Sequence, residues 1–332
     1  MELIMAGLDH KRADLNTREK FAITKERTLL FLESIINSGI GGCVIISTCN
    51  RTELYASVPD NHVFEPAKIL CNSLNRNFLE FEQYFTERIG AHAIEHLCRV
   101  ASGLDSQIMG DDQIITQVRE ALELARRQCC TDSYIETMFR LAIKAAKLIK
   151  TNVILKSVGI GSVPGKAMEK LKTLYPLLAG RNAVVIGNGW MGRLVSEFLI
   201  NEDVNVTVTI REHKKGVIKV PNRADTISYS ERYKAIEKAD IVVSATTSPH
   251  FTLHYNDLNA LARLPELIID LAVPRDVEPS VQEIPGVTLL TIDDISEESR
   301  SLPSESISRI DGIIKEHIEK YYHWLVYKRK AA

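Results

Sequence analysis

Apolar and polar positions follow two different periods in the first part of the chain. Short apolar runs of strand length stand at "ELIMAG", "CVIIS" and "ELYASV", and the segment "TKERTLLFLESIINSG" between the first two has the spacing of an amphipathic helix. Two further helical patterns cover residues 62–75 and 91–102, and residues 113–150 are helical in pattern almost throughout. These elements predict an α+β domain over residues 1–150, in which Cys49 lies on a connection between two strands.

A second organisation begins near residue 182. The segment "NAVVIGNGWMGRLVSEFLI" reads as a strand, a glycine turn and a helix. The strands "NVTVTI", "DIVVSAT", "LIIDLAV" and "VTLLTI" follow it, with helix-compatible segments between most of them. This alternation is typical of a doubly wound parallel sheet. The sequence therefore predicts an α/β protein in which residues 151–300 form a Rossmann-type domain and one long helix occupies most of residues 301–332.

Composition narrows the class of protein. A chain of 332 residues is too long for one small core, and its 45% hydrophobic and 25% charged residues are ordinary for a globular protein. With a net charge of −2, local patches rather than the field of the whole protein would have to bind nucleic acid.

Cellular location is also constrained by composition. The N-terminus "MELIMAGLDHKRADL" meets charges too early for a secretory signal, and no apolar stretch is long enough to cross a bilayer. The six cysteines include no C-x-x-C pair. We therefore expect reduced thiols, a cytoplasmic location and no membrane partner.

The glycine turn after the strand "AVVI" has the G-x-G-x-x-G spacing of a dinucleotide-binding loop. The first glycine allows the tight turn, the second lets a pyrophosphate approach the backbone, and the third lets the helix pack on the strand. N–H groups at the start of the helix then face the phosphates. The predicted cofactor contacts in this loop are Gly187, Asn188, Gly189, Trp190, Met191 and Gly192. A structural turn without a ligand is the alternative.

The end of the second strand of this domain bears on the choice of cofactor. The strand stops at Ile210 without the acid that would hold a ribose 2′-hydroxyl, and Arg211 and Lys214 follow it. These cations favour a 2′-phosphate and therefore NADPH. Glu212 could still turn inward toward a ribose, and a solvated charged loop would also explain the segment.

Cys49 stands at the end of a strand among polar neighbours, in "STCNRTELY". A thiolate here could attack an activated acyl group, and a hydride could reduce the resulting thioester to an aldehyde. The thiol must ionise near neutral pH, which a nearby cation favours, and Arg51 and His96 are candidates for that role. A cysteine after a strand is more often a core residue or a bystander, so this pattern alone leaves both interpretations open.

Four segments together resemble glutamyl-tRNA reductase, the first enzyme of five-carbon tetrapyrrole synthesis, which leads to 5-aminolevulinate and porphyrins. They are "STCNRTELY", "HLCRVASGLDSQIMGDDQI", "GNGWMG" and "IIDLAVPRDVEP", in the family's order, and the opening "GLDHKRADLNTREKF" is also similar. The resemblance runs from near the N-terminus to the final helix. It implies an oxidoreductase that uses NADPH to reduce glutamyl-tRNA to glutamate-1-semialdehyde through a cysteine thioester.

The resemblance also assigns residues. Cys49 matches the nucleophile and His96 the active-site histidine. Thr48, Asn50 and Arg51 match residues that hold the substrate, and a guanidinium is suited to a bidentate grip on the glutamate carboxylate. Further positions that match contacts to the glutamyl group are Ser106, Asp111, Asp112, Gln113 and Gln117. At the two aspartates the family usually has Glu-Pro, so the acidic side chain at the first of them is shorter here.

Glutamyl-tRNA is the partner that the resemblance implies, with glutamate-1-semialdehyde aminomutase as a further candidate. The family usually continues past the long helix into a helical domain that forms a homodimer. The 332 residues end before such a domain, so the usual dimer is not carried over. Arg140, Lys144 and Lys147 form a basic stripe on the predicted helix "RLAIKAAKLIK". This stripe could follow a tRNA backbone, although a solvated helix face explains it as well.

Three other interpretations compete with this one. The segment "HAIEH" has the H-x-x-E-H spacing of one class of zinc protease, but no downstream carboxylate motif accompanies it and we expect no metal. A regulator that binds NADP without turnover has no need of acyl-holding residues beside Cys49. A dehydrogenase of free small acids would require a lysine–aspartate pair in the first domain and has no use for "TCNR".

Overall fold

The computed structural model describes residues 1–110, 113–153, 162–211, 220–295 and 302–331. The chain divides into two compact units, Met1–Gly161 with Ser299–Ala332, and Ser162–Glu298. The C-terminal segment therefore packs with the N-terminal residues rather than standing apart.

The first unit is built on a four-stranded sheet. Its strands are β1 (Glu2–Asp9), β2 (Gly42–Ser47), β3 (Arg51–Val58) and β4 (Thr86–Ile89). The order across the sheet is β2-β3-β1-β4, and each pair of neighbours is antiparallel. The α-helices described in this unit are α1 (Leu15–Lys20), α2 (Lys25–Ile36), α3 (Pro66–Ser73), α4 (Phe78–Phe81), α5 (Ala91–Ser102), α6 (Gln113–Arg127), α7 (Ser133–Asn152) and α13 (Ser304–Ala331).

Local sequence explains where several of these helices begin and end. The Asp132 carboxylate caps α7 by accepting hydrogen bonds from the backbone N–H groups of Tyr134 and Ile135, at 3.0 and 2.9 Å. The Thr24 side chain caps α2 in the same way. Between α6 and α7, Cys129 adopts a left-handed φ of 54°, which an α-helix does not tolerate. The long helical region therefore splits in two.

The central strand of the first unit carries charge into the interior. Arg51, Glu53 and Tyr55 alternate along β3 and share one face of the sheet with Asp9 and Gly7, which lie opposite them on β1. This face packs against α5 and α7, and α13 covers α7 from outside the sheet. All eight residues of β3 are buried, so its charged side chains lie inside the protein.

The second unit is built on a six-stranded parallel sheet. Its order is β7-β6-β5-β8-β9-β10, the 3-2-1-4-5-6 order of the classical dinucleotide-binding fold. The strands are β5 (Asn182–Ile186), β6 (Asn205–Ile210), β7 (Asp225–Ser228), β8 (Ile241–Ser244), β9 (Leu267–Asp270) and β10 (Thr288–Thr291). The helices described here are α8 (Val163–Leu174), α9 (Trp190–Asn201), α10 (Arg232–Ile236), α11 (Tyr255–Asn259) and α12 (Ile292–Ile295).

The predicted fold class is confirmed: an α+β N-terminal region, a doubly wound parallel sheet and a long final helix are all present. Two short strands were missed, β4 with the sequence "TERI" and β7 with the sequence "DTIS". Both are sheet-edge strands of four residues with few apolar side chains, so they lack the apolar run that marks a buried strand. Among the residues described, no helix has the length and apolar content needed to cross a membrane.

Candidate active site

Cys49 lies at the tip of the tight connection between β2 and β3. The Thr48 N–H donates to the Arg51 carbonyl at 2.9 Å and closes the loop. Within it, the Asn50 N–H donates to the Thr48 hydroxyl oxygen at 3.2 Å, a side-chain turn that serine and threonine favour. From outside, Arg18 Nε donates to the Cys49 carbonyl at 3.3 Å. The half-buried thiol is therefore presented by a loop whose backbone is held from several sides.

The other thiols offer a contrast. None of the six cysteines forms a disulfide bond. Burial raises the pKa of Cys71 to about 11. Burial, with a smaller contribution from Glu95, raises that of Cys98 to about 12. Burial also raises the pKa of Cys43, on β2, far above its usual value. These three thiols stay protonated in the core, where they pack as small apolar side chains.

Beneath the loop, Glu53 joins the predicted Arg51 and His96. Arg51 Nη1 donates to Glu53 Oε1 at 2.7 Å, and His96 Nε2 lies 2.8 Å from the same oxygen. The Tyr55 hydroxyl donates to Glu53 Oε2 at 2.7 Å. Arg51 and Glu53 are each only 1% exposed. Gly7 on β1 makes room for this carboxylate, since a Cβ there would lie 2.6 Å from Glu53 Cγ.

Charge pairing decides the ionisation of this cluster. Burial alone would raise the pKa of Glu53, but the charges of Arg51 and His96 outweigh it and hold that pKa well below its usual range. Burial alone would lower the pKa of Arg51, but the negative charges of Glu53 and Asp9 raise it. Burial, with the adjacent Glu53 carboxylate, raises the pKa of Tyr55 well above its usual value. Glu53 and Arg51 are thus a buried ion pair, and Tyr55 keeps its proton.

A second acid reaches the same histidine from the loop after α5. Gly103 ends that helix with a left-handed φ of 79°, and the chain then returns over the helix. Asp105 Oδ2 lies 4.0 Å from His96 Nδ1, and its carboxylate accepts hydrogen bonds from Lys11 Nζ at 2.6 Å and Arg99 Nε at 3.3 Å. Burial would raise the pKa of Asp105, but the hydrogen bond from Lys11 and the charge of Arg99 lower it. His96 therefore lies between two ionised carboxylates.

Three buried polar atoms around Cys49 have no hydrogen-bond partner in the described part of the chain: Asn50 Oδ1, Arg51 Nε and His10 Nδ1. His10 belongs to the same group because its N–H donates to the Asn50 carbonyl at 2.9 Å. Burial, with the nearby cations Arg51, Arg18 and Lys11, lowers the pKa of His10 to about 4 despite Asp9. Buried polar groups are normally paired, so these atoms indicate where a bound molecule would supply partners.

The geometry differs from the expected role of Arg51. Its Nη1 donates to Glu53 and its Nη2 donates to the carbonyl of Asp105. The paired guanidinium donors that the resemblance assigns to the glutamate carboxylate therefore face acceptors of the protein itself. Sequence reasoning had missed Glu53 and Asp105. The available signal was the alternation of Arg51, Glu53 and Tyr55 in a strand, which puts opposite charges on one face of a buried element.

Three of the remaining predicted substrate residues lie on α6 or on the segment that precedes it. Gln113 and Gln117 are half-buried and one turn apart on α6, which packs against β2. Ser106 is half-buried between α5 and α6, and its N–H donates to the Gly103 carbonyl at 3.3 Å. Asp111 and Asp112 lie outside the described residues.

The two competing surface motifs are also located. His92 and His96 of "HAIEH" diverge, because the first is 78% exposed and the second is buried against Glu53. In the ranges that the structure describes, no group of three potential metal ligands is close enough to hold an ion. Arg140, Lys144 and Lys147 are all exposed along α7, a placement that fits a solvated face and a nucleic-acid contact equally.

The glycine turn of the second unit has the shape that its spacing predicts. Gly187 has a left-handed φ of 105°, and a Cβ there would lie 2.6 Å from the Ala245 carbonyl oxygen. A Cβ on Gly192 would lie 1.9 Å from the Gly187 carbonyl oxygen. At Gly189 a Cβ would meet nothing within 4 Å. Two of the glycines are therefore required by the protein's own packing, whereas the second faces open space.

This open space has the donors and acceptors that a dinucleotide needs. Gly189 precedes α9 without a side-chain cap, so the first N–H groups of the helix are available to phosphate oxygens. Asn188 Oδ1 is buried and has no partner among the described residues. Trp190, 49% exposed, and the half-buried Met191 follow in the first turn. The loop therefore fits a dinucleotide.

Arg211 directly follows β6 and is exposed, with its guanidinium 5.0 Å from the centre of the Tyr229 ring. This is the position predicted to meet a ribose 2′-phosphate. Lys214 lies outside the described residues.

Two buried acids lie at and beyond the end of β9: Asp270 is the last residue of that strand, and Asp276 lies in the segment that follows it. Asp276 accepts hydrogen bonds from the Ser244 hydroxyl at 2.7 Å, from the Thr246 N–H at 2.8 Å and from the Thr246 hydroxyl at 2.5 Å. Asp270 accepts hydrogen bonds from the backbone N–H groups of Ala272 and Val277, at 3.0 and 2.9 Å. Burial and the neighbouring Asp276 raise the pKa of Asp270 to about 8, and burial also raises the pKa of Asp276. Asp276 therefore holds the chain after β8, beside the glycine turn, and Asp270 holds the chain after β9.

Two family models match this chain, one in each of its two units. Residues 6–153 match the family model "Glutamyl-tRNAGlu reductase, N-terminal domain". Residues 169–298 match the model "Shikimate / quinate 5-dehydrogenase". The first match contains the Cys49 cluster, and the second contains the glycine turn and the acid pair.

Curated relatives match along the whole chain. The glutamyl-tRNA reductase of Alkaliphilus oremlandii is 39% identical over 330 residues, 99% of this chain and 98% of the relative. That of Acetivibrio thermocellus is 39% identical over 332 residues and 99% of each chain. Among solved structures, glutamyl-tRNA reductase from Methanopyrus kandleri is 29% identical, covers 97% of this chain and 80% of its own, and has a TM-score of 0.50.

Proposed function

The chain belongs to the glutamyl-tRNA reductase family, and we propose that it reduces glutamyl-tRNA to glutamate-1-semialdehyde with NADPH, through a thioester on Cys49. One observation supports this proposal most directly. Cys49 is displayed at the tip of a held loop, and the buried polar atoms around it, Asn50 Oδ1, Arg51 Nε and His10 Nδ1, have no partner among the described residues. Those atoms match the groups of an aminoacyl ester.

In the first step the Cys49 thiolate attacks the ester carbonyl of glutamyl-tRNA. A sulfur–carbon bond forms, the bond from that carbon to the ribose oxygen breaks, and the tRNA leaves after gaining a proton. The ester is required because a free carboxylate resists attack and has no leaving group. The tRNA also contributes binding free energy remote from the reacting carbon, which can position the carbonyl against the sulfur.

Residues around the thiol hold the glutamyl group in this proposal. Asn50 Oδ1 is an acceptor and suits the α-ammonium group, whereas Arg51 Nε is a donor and suits a carbonyl or carboxylate oxygen. Thr48 shapes the loop. Ser106, Gln113 and Gln117 complete the set because they match the family motif, as do Asp111 and Asp112. Arg51 then acts mainly by placing positive charge beneath the thiol, since its fork is engaged with Glu53 and Asp105.

His96 is assigned the proton transfer. Because the ionised Glu53 accepts a hydrogen bond at His96 Nε2, that nitrogen carries a hydrogen. Nδ1 then remains to take up or release a proton, and Asp105 Oδ2, 4.0 Å away, stabilises the ring when it is charged. A proton taken from the thiol can in this way reach the departing ribose oxygen.

A bound NADPH would supply the hydride for reduction of the thioester. The new carbon–hydrogen bond would replace the carbon–sulfur bond, so that the aldehyde is released and Cys49 is left as a thiolate. Gly187, Asn188, Gly189, Trp190, Met191 and Gly192 would hold the pyrophosphate and ribose of the cofactor, with the N–H groups of α9 facing the phosphates. Arg211 and Lys214 would meet the 2′-phosphate, which makes NADPH the preferred form. In this assignment residues 1–150 carry the thiol chemistry and residues 151–300 the cofactor.

The same chemistry bears on the cellular compartment and on the protein partner of the enzyme. A reactive thiol requires a reducing compartment, which favours the cytoplasm. The aldehyde product reacts readily with amines, so glutamate-1-semialdehyde aminomutase is the partner that would consume it. We add a homodimer to the proposal only as the family's usual assembly.

The test uses glutamyl-tRNA with NADPH, and with NADH in parallel, and measures glutamate-1-semialdehyde. Cys49→Ser should lower the rate by at least about a thousandfold, since a hydroxyl is a far weaker nucleophile. Cys43→Ser, in the apolar strand β2, is the matched control and should keep most of the activity. Without a reduced cofactor, the enzyme should hydrolyse glutamyl-tRNA slowly through Cys49. An unaltered rate in Cys49→Ser would disprove the thioester, and absence of turnover with an intact fold would favour a regulator that only binds the dinucleotide.

A further inference from the structure

A polar cavity of about 340 Å³ lies in the first unit beside His96 and Asp105. It is bounded by the end of β1, by β4 and by the first turns of α5. Four basic side chains, Lys11, Arg12, Arg88 and Arg99, contribute to its lining, and we call it the cationic cavity.

The acids at the cationic cavity are already engaged. Asp105 accepts hydrogen bonds from Lys11 Nζ at 2.6 Å and from Arg99 Nε at 3.3 Å. Glu95 Oε2 lies 3.8 Å from Nδ1 of His92. Asp9 accepts a hydrogen bond from the backbone N–H of Lys11 at 3.0 Å. Of the four basic side chains, Lys11 and Arg99 are paired with Asp105 by these contacts, whereas Arg12 and Arg88 are not.

Arg12 and Arg88 have no carboxylate partner within the residues described. Arg12 Nη1 donates to the Phe85 carbonyl at 3.1 Å, a neutral acceptor. Arg88 Nε is buried and has no hydrogen-bond partner in the described ranges. A buried guanidinium donor without an acceptor costs free energy. The cavity therefore has positive charge and donors in excess, and an oxyanion would complete it.

The cavity lies at the same end of the sheet as the Cys49 loop. Thr86 on β4 and Glu53 on β3 both pair with Gly7 of β1, so they stand in one row across one face. Only β1 separates β3 from β4, and two strand spacings are about 10 Å. His96 and Asp105 line the cavity and also belong to the cluster under the thiol. A ligand group there would be next to the group bound at Cys49.

We propose that the cationic cavity binds a phosphodiester group at the 3′ end of the tRNA. This rests on the proposed function, because the substrate must be an aminoacyl ester of tRNA. Arginine is suited to phosphate oxygens through its paired donors. The volume of the cavity is in the range of sites that enclose a group of nucleotide size, and it exceeds what the side-chain carboxylate of the glutamyl group requires.

The test separates phosphate from carboxylate by using two substrates. Esterase activity without NADPH is measured on glutamyl-tRNA and on glutamyl-adenosine, the 3′-ester that carries no phosphate. Arg88→Gln and Arg12→Gln should each raise KM for glutamyl-tRNA about tenfold, the effect of losing a charged hydrogen bond. Each should leave KM for glutamyl-adenosine at the wild-type value. The slope of log affinity for tRNA against log salt should become shallower by about 0.7 per arginine.

Direct binding supplies a second readout. The trinucleotide CCA should compete with glutamyl-tRNA, and its methylphosphonate analogue, which lacks the backbone charge, should compete at least about tenfold less well. Arg88→Gln should remove that difference. Lys68→Gln, which removes a cation that is paired with Glu65 on α3, is the matched control and should leave all of these values unchanged.

Two results would overturn the proposal. An equal rise in KM for both esters would show that the arginines hold the glutamyl group or the fold. Equal competition by CCA and its uncharged analogue would show that no phosphate is bound. Failure of the proposed function is distinguishable, because wild-type enzyme would then cleave neither ester through Cys49.

Discussion

Each unit buries two carboxylates at its candidate site, but the groups that contact these carboxylates differ between the units. In the first unit Glu53 contacts Arg51, His96 and Tyr55, and Asp105 contacts Lys11 and Arg99. Cations surround both acids, and their pKa values are lowered despite burial. In the second unit Asp270 and Asp276 accept hydrogen bonds from backbone N–H groups and hydroxyls, and their pKa values are raised.

Burial by itself therefore does not decide whether an acid is charged. Transfer out of water disfavours the carboxylate in both units, and only a neighbouring opposite charge reverses that effect. In the first unit the ionised Glu53 orients the Arg51 guanidinium and the His96 imidazole. In the second unit burial and the charge of Asp276 disfavour ionisation of Asp270, and burial disfavours ionisation of Asp276. These acids hold the chain after β8 and β9.

The largest expected effect comes from removing one partner of the buried ion pair. Glu53→Gln leaves the Arg51 charge uncompensated in the interior, and such a loss typically costs about 3–5 kcal/mol. Hydrogen exchange of the β3 amides should report this loss in the first unit, with β9 amides in the second unit as an internal reference. Glu87→Gln, on the exposed side of β4, is the matched control and should change neither.

A double variant sharpens this prediction. Replacing both partners, Arg51→Met with Glu53→Leu, should recover most of the protection of β3, because no unpaired charge remains. It should not recover aldehyde formation if the ion pair is required for the reaction at Cys49. Full protection of β3 in Glu53→Gln alone would contradict the ion-pair account.

A smaller effect, opposite in sign between the units, is expected from pH. The raised pKa of Asp270, about 8, means that the folded protein keeps a proton which the unfolded chain releases near pH 4. The stability of the second unit should therefore fall as pH rises from about 4 to about 8 and then level off. The lowered pKa of Glu53 gives the first unit stability that is present above pH 4 and is lost on acidification below it.

Hydrogen exchange of β9 between pH 4 and 8, and of β3 from pH 4 downward, measures the two slopes once each is corrected for the intrinsic pH dependence of exchange. Asp270→Asn should flatten the slope of β9 between pH 4 and 8, since an amide does not titrate. Asp225→Asn, exposed on β7, should leave that slope in place. Parallel slopes in the two units would mean that the acids do not differ as described.

The smallest effect is expected at Asp276. The Asp276 carboxylate accepts three hydrogen bonds, and in Asp276→Asn an NH2 group replaces one of its oxygens. That group faces a hydrogen-bond donor rather than an acceptor, so the segment at Thr246 should shift. Because this segment borders the glycine turn, dinucleotide binding should weaken by about 1 kcal/mol, or about fivefold. Fluorescence titration measures the affinity, and Cys49-dependent ester hydrolysis without cofactor should remain at the wild-type rate. Unchanged affinity would show that Asp276 supports only the fold.

Local signals explain which parts could be predicted from sequence. The alternation of strands and helices after residue 182 depends on burial of apolar runs. The glycine requirement has a local part, the left-handed φ of Gly187 and the approach of Gly192 to the Gly187 carbonyl. The polar setting of Cys49 is also local, because Thr48 and Asn50 shape its loop. The edge strands β4 and β7 lack such signals, and sequence reasoning missed them for that reason.

By itself, then, the sequence determined the fold class, the glycine turn and the family, which depend on local periodicity and on motifs that are continuous along the chain. Tertiary structure decided what surrounds the charges. The carbonyl that takes the second donor of Arg51 comes from Asp105, 54 positions away, and Glu53 meets His96 across 43 positions. The cavity beside them joins β1, β4 and α5. An ionisable group takes its charge and its partners from whatever folding brings within a few ångströms, and residues far away along the chain supply part of that environment.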